Sequence, residues 1–146
     1  MHSLKNKSVC ITDIAALMIA VLFLYAAYSK LSDYEQSKTA MLKQVFPRSI
    51  SLMLTWAIPA TELTLAGLLC IPQTRLKGLY ASLFLLIIFT IYIAITMNGA
   101  FGKIPCSCGG ILQKMNYKTH ILFNISFIIL AITGITKTEN HTAYNS

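Results

Sequence analysis

Four long apolar runs limit what this chain can fold into: residues 11–28, 50–71, 79–97 and 117–135. A helix rises about 1.5 Å per residue, so roughly 20 residues cross the ~30 Å hydrocarbon layer of a bilayer. Each run is close to that length once its ends are counted. Backbone amides inside the layer must be satisfied without water, and a helix does this within itself. Only 12 % of the residues are charged and 55 % are apolar, whereas a soluble domain carries about 25 % charge. The sequence therefore predicts an all-α integral membrane protein built as an antiparallel four-helix bundle. On this reading residues 1–10 form a polar N-terminal segment, 11–135 the transmembrane domain and 136–146 a polar tail. A secretory leader would also have a basic start and an apolar core. Here Tyr28 follows Ala26-Ala27 and no small-x-small cleavage site is present, which disfavours that reading.

The connections carry the polar residues. The longest lies between the first two runs. In it, Ser32-Asp33-Tyr34-Glu35 has the spacing of a capping box, which predicts a short amphipathic helix. That helix should end near Gln44, with Tyr34, Met41, Leu42 and Val45 on the membrane surface. The net charge is +7. The lysines and arginines are spread between the apolar runs, where lipid headgroups would meet them. No basic stripe interleaved with aromatics occurs, so the lipid bilayer is the expected partner and nucleic acid is not.

One stretch stands apart: Pro105-Cys106-Ser107-Cys108-Gly109-Gly110, between the third and fourth runs. A disulfide stabilises a fold chiefly by closing a long loop, and this pair would close a minimal one. Cys106 and Cys108 therefore read as a redox-active dithiol, a metal-binding pair or an inert docking turn. The redox reading needs a thiolate. Lys103, Lys30, His120 and the positive N-terminal end of the fourth helix would favour one from the same membrane side. The metal reading has Cys106, Cys108 and His120 as soft ligands. That is one short of a structural zinc site and better matched to copper(I). Cys10 and Cys70 fall at the opposite side and read as packing residues.

Glu62 is the other unusual residue, well inside the second run. An acid in hydrocarbon is costly and normally faces the bundle interior. Asn124 lies at a similar depth on the antiparallel fourth helix and is the expected partner. The carboxyl would be structural, or it would relay protons or touch a quinone held between the helices.

With these motifs in place, the chain resembles MauE and DoxX-like membrane proteins. Tyr28-Ser29-Lys30-Leu31-Ser32-Asp33-Tyr34 is similar to the Ser-Lys-Leu-x-Asp-Phe signature that ends their first helix. Pro59-Ala60-Thr61-Glu62-Leu63 is similar to their Pro-x-x-Glu-Leu, and residues 74–82 to the turn into their third helix. The Cys106–Gly110 motif resembles that of the MauE-like members, and His120 with Asn124 their His-x-x-x-Asn. The likeness extends over roughly residues 13–135. It implies a four-helix membrane domain in the inner (cytoplasmic) membrane. It also implies a role in periplasmic maturation of disulfide-bearing proteins, such as the methylamine dehydrogenase small subunit, alongside a thioredoxin-like or other periplasmic partner. A non-enzymatic helper subunit is the alternative.

Four spans put both termini on one side. The count of Lys and Arg in the connections weakly favours the cysteine side as cytoplasmic. Two features oppose it. Lys5 and Lys7 have no acidic neighbours, whereas Lys30 is followed by Asp33 and Glu35. A disulfide-forming pair also persists only outside the reducing cytosol. Both termini are therefore expected in the cytoplasm. Reporter fusions at Lys38, Lys77 and Ser146 check this: Lys38 should report the periplasm and the other two the cytoplasm. A periplasmic signal at Ser146 would reverse the orientation.

Overall fold

The computed structural model describes residues 2–98 and 116–144. Among the described residues there are five helices and no strand: α1 (His2–Ser32), α2 (Tyr34–Leu42), α3 (Arg48–Cys70), α4 (Arg75–Met97) and α5 (Tyr117–Tyr144). All but α2 are long and apolar enough to cross a bilayer. The chain is a multi-pass helical membrane protein, as the apolar runs predict. Two helices outrun those runs by nine residues at one end. α1 begins at His2, and α5 continues through polar residues to Tyr144. Helical hydrogen bonding does not require apolar side chains, so a helix can continue into the headgroup layer and beyond.

The short helix is where the capping motif puts it, with its start shifted by one residue. Ser32 belongs to α1, and Asp33 is the N-cap of α2, its side chain accepting the Gln36 N–H at 3.4 Å. An Asp side chain satisfies a first-turn donor as well as Ser does. α2 does not lie wholly on the membrane surface. Leu42 and Val45 are exposed, but Ala40 and Met41 are buried against the bundle. The Tyr34 and Trp56 rings lie 5.2 Å apart, fixing α2 to the first half of α3.

Burial on α1 recurs in steps of three and four, through Ala16, Ile19, Ala20, Phe23 and Ala27 to Lys30. This is the stripe expected of a helix packed along one face. α1 packs against α3 and α5, and α4 packs against the same two helices, closing a ring. The common core is made by Ile19, Phe23, Leu65, Leu69, Leu79 and Ala131. Helices in lipid gain little from hiding apolar surface from one another, so close backbone approach and dispersion contacts hold them. The small residues of α1 serve this, and so does Gly134 on α5. A Cβ at Gly134 would meet Ala15 Cβ at 3.3 Å. The outward faces carry Leu17, Met53, Phe84, Leu122 and Ile129, all exposed. A bilayer covers such a surface.

At the end of the bundle near α1's start, polar side chains tie the helices together. The Arg75 guanidinium pairs with the Asp13 carboxylate and also donates to Leu69 O at 3.3 Å. Thr138 donates to Gly134 O at 2.8 Å, Thr12 donates to the same carbonyl at 3.4 Å, and Tyr80 hydrogen-bonds Glu139. Residues 72–77 read as a turn in the sequence. In the structure Arg75 and Lys77 are already helical, because Thr74 opens α4 while its hydroxyl donates back to Leu68 O at 2.9 Å.

Gly78 tests this packing. A Cβ there would meet Leu68 Cβ and the Leu69 backbone nitrogen, each at 3.2 Å, while one at Gly67 would meet nothing within 4 Å. Overpacking costs roughly 1–3 kcal/mol, against about 1 kcal/mol of helix propensity gained by replacing glycine. Gly78→Leu is expected to lower the thermal unfolding midpoint in detergent micelles, and Gly67→Leu to leave it unchanged or raise it.

Candidate functional site

The most unusual chemistry among the described residues lies where α1 and α3 touch. Lys30 and Glu62 are 5 % and 2 % exposed, and Lys30 Nζ stands 2.7 Å from Glu62 Oε1. Lys30 is in the last turn of α1. Glu62 is inside α3, about 12 Å from its Cys70 end at ~1.5 Å per residue. The lysine side chain turns back along its own helix, and Nζ also approaches Ala26 O at 3.4 Å. A charged group inside hydrocarbon costs several kcal/mol unless it is paired. Each residue therefore needs the other. Glu62 Oε2 has no hydrogen-bond partner among the described residues.

The pair stands at the wall of a half-open cavity of about 400 Å³ between the helices. Its lining is mostly apolar, from α1, α3, α4 and α5, with Met41 of α2 covering part of it. The polar residues of its lining are Lys30, Gln44, Thr61, Glu62, Tyr92, Thr96, His120 and Asn124. Gln44 and Tyr92 hydrogen-bond each other, and Gln44 also donates to Ala40 O at 3.0 Å. Phe46 stacks beside Tyr92 with ring centroids 6.1 Å apart and planes at 18°. His120 and Asn124 are buried, one turn apart on α5, so both present the same face.

The structure thus brings together four of the site residues read from the sequence: Lys30, Glu62, His120 and Asn124 line one cavity. Three expectations change. The partner of Glu62 is Lys30 rather than Asn124, because a buried carboxylate gains more from an ammonium than from a neutral amide. Lys30 is not at the headgroups, since its flexible stem lets it reach inward to that carboxylate. Cys106 and Cys108, with Lys103, lie outside the described residues, and so does the copper reading that needs them. Cys70 is exposed, not packed. No group of three or more metal-binding side chains occurs among the described residues. Sequence reasoning passed over Gln44 and Tyr92. A polar residue ending an amphipathic helix and a tyrosine in an apolar run each look ordinary until the fold makes them meet.

A family model described as methylamine utilisation protein MauE matches residues 8–137. The chain belongs to the MauE family. No curated protein and no solved structure matches it. The MauE match takes in the four apolar runs, the cavity residues and the Cys106–Cys108 segment. In this MauE-family chain the Ser-Lys-Leu and Pro-x-x-Glu-Leu motifs meet in space, since Lys30 belongs to one and Glu62 to the other.

The ion pair makes a clear stability prediction. Removing one partner of a buried pair typically costs about 3–5 kcal/mol, whereas replacing both with apolar residues is often near neutral. Lys30→Met and Glu62→Leu should each sharply lower the fraction of folded protein extracted in mild detergent. The double variant should recover most of it. A double variant whose loss equals the sum of the two single losses would mean that the pair is not coupled.

Proposed function

We propose that this chain is a membrane thiol–disulfide exchange protein that assists maturation of a periplasmic partner through Cys106 and Cys108. The observation that carries the reading is the Pro-Cys-Ser-Cys-Gly-Gly segment joining α4 to α5. The membrane family to which the chain belongs supports it. So does the position of the segment's described neighbours. Thr96 and His120, nine residues before it and ten after it in sequence, line the same pocket as the buried Lys30–Glu62 pair. In the setting that the family's name gives, methylamine utilisation, the chain acts on a partner protein rather than on the amine. The segment faces the periplasm of the inner membrane and the termini face the cytoplasm.

The exchange balances as follows. A thiolate of the partner attacks one sulfur of the Cys106–Cys108 disulfide, and the other sulfur leaves as a thiolate. The partner's second thiol then resolves the mixed disulfide. The partner loses two electrons and two protons, and Cys106 and Cys108 gain them. A C-x-C disulfide closes a tight ring, and strained disulfides are the more oxidising ones.

Removing one cysteine should stall the exchange. In Cys106→Ser or Cys108→Ser the remaining thiolate can still attack a disulfide of a thioredoxin-like or other periplasmic protein, whose second sulfur leaves as a thiolate. The mixed disulfide so formed is expected to accumulate, identified by mass spectrometry after thiol quenching. In the unaltered chain, alkylation of both cysteines should switch together over a redox titration. If both thiols label equally at every potential and the serine variants support maturation fully, the chain is a helper subunit instead.

A further inference from the structure

The cavity is open on the side where α3 and α4 part. These helices touch near their short connection, where a Cβ at Gly78 would meet Leu68 and Leu69 at 3.2 Å. Further along, Thr61 of α3 and Ile88 of α4 line the cavity while both are exposed. Each stands near the middle of its apolar span, at the depth of the acyl chains. The lining on α4 runs from Leu85 to Thr96, about 16 Å at ~1.5 Å per residue. That is about half of the ~30 Å hydrocarbon layer, the depth of one leaflet.

At the membrane boundary the same cavity meets positive charge. Gln44 and Phe46, in the connection from α2 to α3, belong to its lining. Lys43 precedes Gln44, and Arg48 opens α3 two residues after Phe46. Both are exposed, and neither has an acidic partner among the described residues. The acids of this end are already engaged: Glu35 faces Lys38 at 3.6 Å, Asp33 caps α2 and Glu62 holds Lys30. Basic residues at a membrane boundary attract anionic headgroups. A free phosphate would answer the charge and leave the apolar walls uncovered. A lipid with a neutral head would cover the walls and leave the two cations unmatched.

We propose that this cavity holds one acyl chain of an anionic phospholipid, whose phosphodiester, uncompensated by any headgroup cation, pairs with Lys43 and Arg48. The polar residues of the lining suit the ester and glycerol region between head and chain, and water at that level does not disturb the fit. The cysteines take no part in the binding. Cys106→Ser/Cys108→Ser protein should bind the same lipid unchanged, so the thiol-exchange reading can fail while this one holds.

The test uses the full chain, stripped of lipid in mild detergent, and dioleoyl phosphatidylglycerol, with a second sample of that lipid carrying a photoreactive diazirine on one acyl chain. Native mass spectrometry counts bound lipid, and peptide mapping after irradiation locates the chain. One lipid per protein is expected, bound about tenfold or more tighter than dioleoyl phosphatidylcholine, a ratio that two cations at the headgroup level support. Lys43→Gln/Arg48→Gln should remove that preference, and Lys77→Gln, at the opposite end of the bundle, should keep it. Crosslinks are expected on Ile58, Ile88 or Phe89, which line the cavity. This arm uses the unaltered protein, so it decides the question even if the double variant fails to fold. Equal binding of the two lipids overturns the headgroup contact. Crosslinks confined to the outward-facing Met53 and Phe84 overturn the cavity. Glycerol phosphate binding as tightly as the whole lipid overturns the acyl chain. A dimer that excludes lipid would give the cavity to a second copy of the chain and overturn the proposal.

Discussion

No charge sits alone in hydrocarbon, and this constraint governs the arrangement around Lys30 and Glu62. An ammonium from the end of α1 meets a carboxylate from inside α3 at 2.7 Å, with both side chains almost fully buried. Apolar side chains can slide past one another at little cost. A buried ion pair cannot, because displacement leaves two unpaired charges in a medium that solvates neither. The contact therefore fixes the register and rotation of α1 against α3. Small residues on α1 let the backbones come close enough for the pair to form.

The two ends of the bundle are built differently. Near the start of α1, Gly134 and Gly78 allow tight approach, and Asp13, Arg75, Tyr80 and Glu139 link the helices at the membrane boundary. Toward the other end the helices separate around the cavity, and polar residues point inward. α2 contributes there rather than only floating on the lipid, since Met41 and, just beyond it, Gln44 and Phe46 help to line the space. Close packing at one end supports a looser, chemically furnished interior at the other. The connection that carries Cys106 and Cys108 joins the helices at that second end.

Much of this was legible in the residues. Length and polarity fix the spans, because the bilayer thickness sets a minimum helix length and excludes unpaired backbone. The Ser32–Glu35 capping motif places the start of α2 to within one residue, and its expected end near Gln44 lies two residues past the observed one, Leu42. Glu62 had to face inward, since lipid cannot solvate it. The C-x-C pair is visible only as sequence, and its chemistry follows from residue type and spacing.

Which inward-facing group meets which was decided by tertiary structure. Asn124 was a reasonable partner for Glu62 by depth, but depth along a span says nothing about rotation between helices. Lys30 has a stem long enough to reach headgroups or the core, and only the position of Glu62 selects the core. The Gln44–Tyr92 contact joins two residues from elements far apart in sequence, and no local pattern marks either. The sequence by itself determined how many helices cross the membrane and that an acid must be hidden among them. The fold alone decided the acid's partner and left a cavity beside it, because pairing depends on helix rotation and register, which side-chain packing sets across the whole bundle.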